Sequence, residues 1–421
     1  MATATETAET TMNGILAGMR VVEGSAFVAA PLCGMTLAQQ GADVIRFDPL
    51  SGGLDSRRWP LTAAGKSLYW VGLNKGKRSI AVDTRTPEGQ ELVTRLVAEP
   101  GDGGGIFLTN FPPVGWMSYE RLKAARPDLI MLSLTGNPDG SSAVDYTVNC
   151  AIGLPFATGP AHGAKPVNPV NHVLPAWDCI TGVSAAMAII AADRHRRISG
   201  DGQLIKVSLA DVAIAMVGNL GLIAEAQVNH QDHYSFGNYL FGAYGREFET
   251  RDDRYIYVVA ITPRQWKALC SVTGTGEKMR LIEPLLDVDL TKEGDRFKAR
   301  DAISAVLAPW FAARTLAEVA AAFDGTGVCW GPYQTFIQMV ENDPRCSTAN
   351  PMFAELDQPG IGRYLVPGSP LDFGAAPRET PRSAPILGQH TDEVLADVLK
   401  MGSAEIGRLR DRRIVAGPIE L

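Results

Sequence analysis

The sequence predicts an α/β protein with a doubly wound, largely parallel sheet in a large domain and a smaller α+β second domain. Three observations lead there. Over the first 135 residues, short β-rich apolar runs alternate with helical patterns, the rhythm of strand–helix–strand crossovers. Past residue 225 that rhythm gives way to a hairpin pattern and then consecutive helical ones. The last 90 residues or so hold a proline- and glycine-rich stretch and a closing helix pair.

Residues 19–23 read as the first strand, and 31–40 as a helix with Pro31 in its first turn, where proline costs no hydrogen bond. Strands follow at 43–48 and 79–83. Thr86-Pro87-Glu88-Gly89 opens a helix running to 98. A strand at 105–110, a short helix at 119–125 and a strand at 129–134 complete the pattern, and the crossovers are expected to be right-handed. Residues 211–227 read as one long apolar helix. The stretch 239–262 reads as a hairpin about the turn Arg251-Asp252-Asp253-Arg254. Helical patterns recur at 265–272, 297–312 and 316–323. Short strands and turns occupy 351–385, and helices 390–399 and 404–411 close the chain. The expected divisions are a leader (1–12), a large domain (13–225), a small domain (226–340) and a C-terminal segment returning to the large domain (341–421).

The composition narrows the function. Of 421 residues, 46% are hydrophobic and 20% charged, ordinary for a folded enzyme, and the net charge of -7 argues against a nucleic-acid partner. The six cysteines form no Cys-x-x-Cys pair, so no zinc or redox motif is expected, and their scatter fits a cytoplasmic protein. His230 and His233 lack an acidic companion and read as a polar loop. Residues 1–11 carry no arginine and no apolar core, unlike a transit or signal peptide. The longest apolar stretch, 183–192, is shorter than the ~20 residues that cross a bilayer, so no membrane is expected.

A parallel sheet invites a dinucleotide reading, and Asp48 ends the second strand where a ribose-binding acid would sit. The first turn, Gly24-Ser25-Ala26-Phe27-Val28-Ala29-Ala30-Pro31, has no Gly-x-Gly-x-x-Gly. The cluster Gly101-Asp102-Gly103-Gly104-Gly105 precedes a strand instead of following one, so the nicotinamide reading is rejected. The most informative residue is Asp178, in Pro175-Ala176-Trp177-Asp178-Cys179-Ile180-Thr181-Gly182. Apolar sequence flanks it, and no cation lies within a helical turn. It reads either as the N-cap of the following helix, worth ~1 kcal/mol, or as a functional carboxylate. Cys179, followed by apolar residues, reads as a small core hydrophobe.

Several blocks carry a resemblance. They are Ala29-Ala30-Pro31 with Gly41-Ala42-Asp43-Val44-Ile45-Arg46-Phe47-Asp48, then Asn74-Lys75-Gly76-Lys77-Arg78-Ser79-Ile80, Asn110-Phe111, Asp145-Tyr146, Gly200-Asp201-Gly202-Gln203, and Ala384-Pro385-Ile386-Leu387-Gly388-Gln389-His390-Thr391-Asp392-Glu393. In this order the chain resembles the class III CoA-transferases across nearly its whole length. Asp178, four residues before Gly182, matches the family's nucleophilic aspartate and can also cap its helix. The resemblance implies an acyl-CoA substrate, no cofactor beyond its CoA moiety, no metal, and an interlocked homodimer. Strings such as Asn171-His172-Val173-Leu174-Pro175-Ala176-Trp177-Asp178 are most like members that move CoA between the two carboxyls of one mesaconate molecule. The alternative is an intermolecular transferase between a CoA thioester and a free dicarboxylic acid.

By the same resemblance Phe27, Val28, Ala29, Arg85, Asn110 and Phe111 bind CoA. Core packing competes for Phe27 and a solvated surface role for Arg85. Asn171, His172, Arg46 and Arg246 are candidates to hold the acid's free carboxylate. Trp177, Leu174 and Phe27 are expected to form apolar walls that exclude water. The chain departs from the family pattern in three places. No glycine-rich loop stands near 235–245, Pro49 replaces a phosphate-binding arginine, and the region after Phe111 is shortened.

Overall fold

A computed structural model describes residues 14–161 and 168–419; the expected leader lies outside them. The described chain forms two compact units. One comprises residues up to 151, residues 173–220 and those from 344 onward; the other comprises Ile152–His172 and Gly221–Asp343. Residues 152–172, assigned by sequence to the large domain, group with the second unit.

The first unit alternates as expected: β1 (Arg20–Gly24), α1 (Ala29–Ala38), β2 (Asp43–Asp48), α2 (Leu68–Leu73), β3 (Arg78–Val82), α3 (Pro87–Ala98), β4 (Ile106–Thr109), α4 (Tyr119–Ala125), β5 (Ile130–Thr135) and α5 (Asp145–Ala151). After α6 (Leu154–Ala157), which belongs to the second unit, come α7 (Ala176–Ser199), β6 (Leu204–Ser208) and α8 (Leu209–Asn219). Local chemistry starts several of these helices. Ser67 accepts from the Trp70 amide at α2, and Thr86 accepts from Gly89 at α3, with Pro87 at its first position. The seven-stranded sheet has the order β12-β3-β2-β1-β4-β5-β6. Strands β1 to β6 pair in parallel, and β12 (Val415–Ala416) adds an antiparallel edge beside β3. Every residue of β4 is buried, which is why the central strands read as continuous apolar runs and not as alternating ones. Core residues Leu92, Leu96, Leu122, Val394 and Ile406 come from α3, α4, α16 (Thr391–Asp397) and α17 (Ser403–Asp411).

Helix α7 spans 24 residues, far beyond the stretch 183–192, and is long and apolar enough by length and composition to cross a membrane. Its buried positions include Trp177, Thr181, Ala185, Ile189, Ala192 and Arg196. They recur every three to four residues, the period of a helix with one face packed in a core, and α7 packs on α1.

The expected helix 211–227 is broken. α8 ends at Asn219, Gly221 takes φ +85, and a single turn, α9 (Leu222–Ala224), leads into a π-turn over Glu225–Asn229. Glycine reaches that left-handed conformation without a Cβ clash, and the i→i−4 ladder stops there. In the second unit, β7 (Tyr244–Glu249), β8 (Tyr255–Ala260) and β9 (Cys329–Pro332) form an antiparallel sheet. It packs on α10 (Pro263–Thr273), α11 (Gly276–Leu286), α12 (Glu293–Lys298), α13 (Arg300–Ala312) and α14 (Leu316–Phe323) through Tyr244, Phe248, Trp266, Leu307 and Phe311. Pro284 inside α11 obscures its pattern in the sequence. α15 (Phe336–Asn342) closes this unit. The hairpin β10 (Phe353–Gln358) and β11 (Gly362–Pro367) returns the chain to the first unit.

Candidate active site

Strand order reverses between β1 and β4, and in open α/β sheets ligands bind at such a switch point, beyond the carboxyl ends of the strands. Phe27, Val28 and Ala29 follow β1, and Asn110 and Phe111 follow β4. One side chain ties the two ends together: Asn110 Oδ1 accepts from the Ala26 amide at 3.0 Å, and its Nδ2 donates to the Ala26 carbonyl at 2.8 Å. Phe27 has φ +71, an uncommon conformation for a bulky residue. Asp55 holds it there, with Oδ2 accepting from the Phe27 amide at 3.1 Å. Phe27 is 40% exposed, so it is not core packing.

Asp178 is the third residue of α7, and the N-cap is Pro175, which makes no side-chain cap bond. The expectation that Asp178 caps its own helix is therefore corrected. Asp145 of α5 does the capping, its Oδ2 accepting from the Trp177 amide at 2.7 Å and the Asp178 amide at 3.0 Å. The Asp178 carboxylate is left for other work. Gly182, one turn on, lies against α1. A Cβ there would lie 2.7 Å from the Ala29 carbonyl oxygen and 3.1 Å from Leu32 Cβ, so only glycine lets α7 approach α1 this closely. The Ala29 amide at the start of α1 then donates toward Asp178. Burial and the nearby charge of Asp145 push the Asp178 pKa up to about 6; the Ala29 amide and Arg58 pull the other way. Burial, then the charges of Asp178 and Asp145, push the Cys179 thiol up as well, which leaves it protonated and a poor nucleophile.

Trp177 is buried, and its indole nitrogen donates to Asn149 Oδ1 at 3.1 Å. It is a core residue, whereas Leu174 is exposed. Tyr146 donates from its hydroxyl to the Val173 carbonyl at 3.2 Å, fastening the strand of chain that enters α7.

Beneath the Phe27 loop lies a buried ionic network. Arg46, fully buried, grips both oxygens of Asp48 at 2.8 and 2.9 Å, meets Asp55 at 2.9 Å and faces Glu23 at 3.9 Å. Lys77 donates to Glu23 at 2.7 Å, to the Pro31 carbonyl at 2.8 Å and to Asn74 at 2.9 Å. The register places Glu23 beside Arg46 on neighbouring strands. One sequence expectation changes here. Arg46 is saturated and screened from any ligand, so it cannot hold a substrate carboxylate. Asp48 binds no ribose; it is the bidentate partner of Arg46.

Arg85, at the end of β3, is 87% exposed and paired with Asp83 at 2.8 Å, two strands from β1. It does not join the cluster formed by Phe27, Val28, Ala29, Asn110 and Phe111. Asn171, His172 and Arg246 belong to the second unit, where Arg246 donates to the Tyr239 hydroxyl at 2.7 Å. Sequence reasoning missed Asp55, Arg58, Tyr69 and the capping role of Asp145. The one usable signal was Asp145-Tyr146 among the family-like blocks. Among the described residues, no group of three or more His, Cys, Asp or Glu is arranged to hold a metal ion.

The model of CoA-transferase family III matches residues 16–391. The chain is 58% identical over 408 residues to 2-methylfumaryl-CoA isomerase of Chloroflexus aurantiacus, covering 97% of this chain and 99% of that one. It is 27% identical to formyl-CoA:oxalate CoA-transferase of Rhodopseudomonas palustris over 97% of this chain and 99% of the other. A CAIB/BAIF family protein from Brucella suis superposes with a TM-score of 0.73 at 27% identity, covering 92% of this chain and all of that one.

Proposed function

Because the chain belongs to CoA-transferase family III, we infer that it moves coenzyme A between carboxyl groups, and that its reaction is the isomerisation of 2-methylfumaryl-CoA to 3-methylfumaryl-CoA. The substrate assignment rests on the near full-length 58% identity. The chemistry rests on one observation: a half-buried carboxylate, Asp178, freed from capping and set against the amide that opens α1.

With a pKa of about 6, Asp178 is ionised at neutral pH and attacks a thioester without a general base. Its raised pKa makes it a stronger nucleophile than a free carboxylate. Attack on the C1 acyl carbonyl breaks the C–S bond, giving a mixed anhydride and CoA thiolate. The thiolate attacks the aspartyl carbonyl, leaving an aspartyl-CoA thioester and free mesaconate. Mesaconate turns, and its C4 carboxylate attacks the aspartyl thioester, releasing thiolate again. The thiolate then takes the C4 acyl group and restores the Asp178 carboxylate. Each step exchanges anhydride for thioester, so the chemistry calls for no metal, redox cofactor or ATP. The Ala29 amide is placed to support negative charge developing on Asp178 or on the carbonyl it attacks.

CoA follows the switch point past Phe27, Val28, Ala29, Asn110 and Phe111. Arg85 would meet it only at the far, phosphate-bearing end. A homodimer accords with family membership and with the apolar residues Val183, Met187 and Ile198 left exposed along α7. The six free cysteines accord with a cytoplasmic location. Incubating the protein with the C1 thioester and separating the products tests the function; no C4 isomer would sink it. Labelled free mesaconate appearing in the product would show intermolecular transfer instead.

A further inference from the structure

None of the proposed reaction steps uses Arg58, yet its backbone and side chain are both closely positioned. The turn after Asp55 presents it: its amide donates to the Asp55 carbonyl at 3.1 Å, and its own carbonyl accepts from Ser67 Oγ at 2.5 Å. The backbone is therefore fixed at both ends of the residue. The side chain is exposed, and its guanidinium stacks between two rings, 5.3 Å from the centre of Phe27 and 5.2 Å from that of Tyr69. Among the described residues it has no carboxylate within ion-pair distance, unlike Arg46 beneath it. The neighbouring Tyr69 hydroxyl is buried and unpaired as well. Both groups lie close enough to Asp178 to interact with it electrostatically.

Two aromatic faces restrict the guanidinium at little cost in further ordering while leaving its edge of donors open. An unpaired cation and an unpaired hydroxyl beside a nucleophilic carboxylate suit an anion. We propose that Arg58, with the Tyr69 hydroxyl, anchors the free carboxylate of the dicarboxylic acyl group while Asp178 works on the other end. A CoA phosphate is the competing anion. The pantetheine arm separates the phosphates from the sulfur by many bonds, whereas Arg58 lies within electrostatic reach of the carboxylate that attacks the thioester. The anchor also accounts for retention: mesaconate released inside the site carries two carboxylates, and one stays gripped until the other is presented.

This inference rests on the proposed reaction, and its test separates the two. Purified wild type, Arg58→Gln and Tyr69→Phe are compared in three measurements. Isomerisation of the C1 thioester should lose about 30- to 100-fold in kcat/KM for Arg58→Gln, as expected for a lost charged contact, and less for Tyr69→Phe. Hydroxylamine-sensitive capture of Asp178 by a thioester whose distal carboxylate is replaced by methyl should change by less than about threefold. Calorimetric binding of free mesaconate should weaken by about tenfold or more in Arg58→Gln, with CoA binding unchanged. Equal losses with both thioesters, or weakened CoA binding, would overturn the anchor in favour of a phosphate contact or a structural role. Wild-type turnover and mesaconate affinity in Arg58→Gln would overturn it too. If wild type binds mesaconate through Arg58 but forms no C4 isomer, the reaction assignment fails and the anchor stands.

Discussion

Replacing Asp178 with asparagine should make the protein more stable at neutral pH while abolishing turnover. Since Asp145 caps α7, the substitution removes no cap. What it removes is a carboxylate held at a cost. Burial and the Asp145 charge raise its pKa from 3.8 to about 6, equivalent to about 3 kcal/mol of penalty on the charged form at ~1.4 kcal/mol per pH unit. Solvent reaching the open side of the residue reduces the expected gain to about 1–3 kcal/mol. The sign follows from protons bound. Below the unfolded pKa, folded and unfolded wild type both carry the proton, and the two proteins should be nearly equal. Between about pH 4 and pH 6 the folded wild type holds its proton more tightly than the unfolded chain, so its stability falls as pH rises. Above the folded pKa the deficit is complete and constant. Urea unfolding of both proteins at about pH 4, 6 and 8 measures the difference. An asparagine variant less stable than wild type at pH 8, or a difference independent of pH, would refute this account of Asp178.

Wild-type kcat/KM should fall with unit slope below about pH 6 as Asp178 takes up its proton; a flat profile to pH 5 would exclude it as the ionising group. Gly182→Ala forces α1 and α7 apart and should cost about 1–3 kcal/mol in urea unfolding, with a larger loss of activity. Asp145→Asn loses two charged bonds to the first turn of α7, worth about 1–2 kcal/mol. The same change lowers the Asp178 pKa by removing a like charge, so the acid limb of the pH–rate profile should move to lower pH. Lys77→Met strands Glu23 in the interior and should destabilise by about 3–5 kcal/mol, with CoA turnover retained by whatever folds.

The strand–helix alternation of the first unit is plain in the sequence because its strands are buried apolar runs and its helices begin with Ser, Thr and Pro signals. What depends on a single glycine or on proline inside a helix is less plain, as Gly221 and Pro284 show. The site divides the same way. Asp178 and the segments after β1 and β4 stand out by position or by their family-like blocks. The residues that condition Asp178 come from elsewhere in the chain: Asp145 lies 33 positions upstream, and Arg58 and Tyr69 sit in a loop with no periodic pattern. Arg46 illustrates the converse error. A basic residue at a strand end looks available until the register sets Glu23 beside it and the following loop folds Asp55 over it.

The charges sealed under the Phe27 loop also constrain how such a protein can change over generations. Arg46 and Lys77 face Glu23, Asp48 and Asp55, and all five side chains are almost wholly buried, so losing any one partner strands a charge at several kcal/mol. That is a sizeable part of the 5–15 kcal/mol by which a domain typically holds together. Stepwise drift is closed to these positions, and viable alternatives require paired replacements or a stabilised background. The segments that carry Phe27, after β1, and Arg58, after β2, thus share a foundation that changes only as a set.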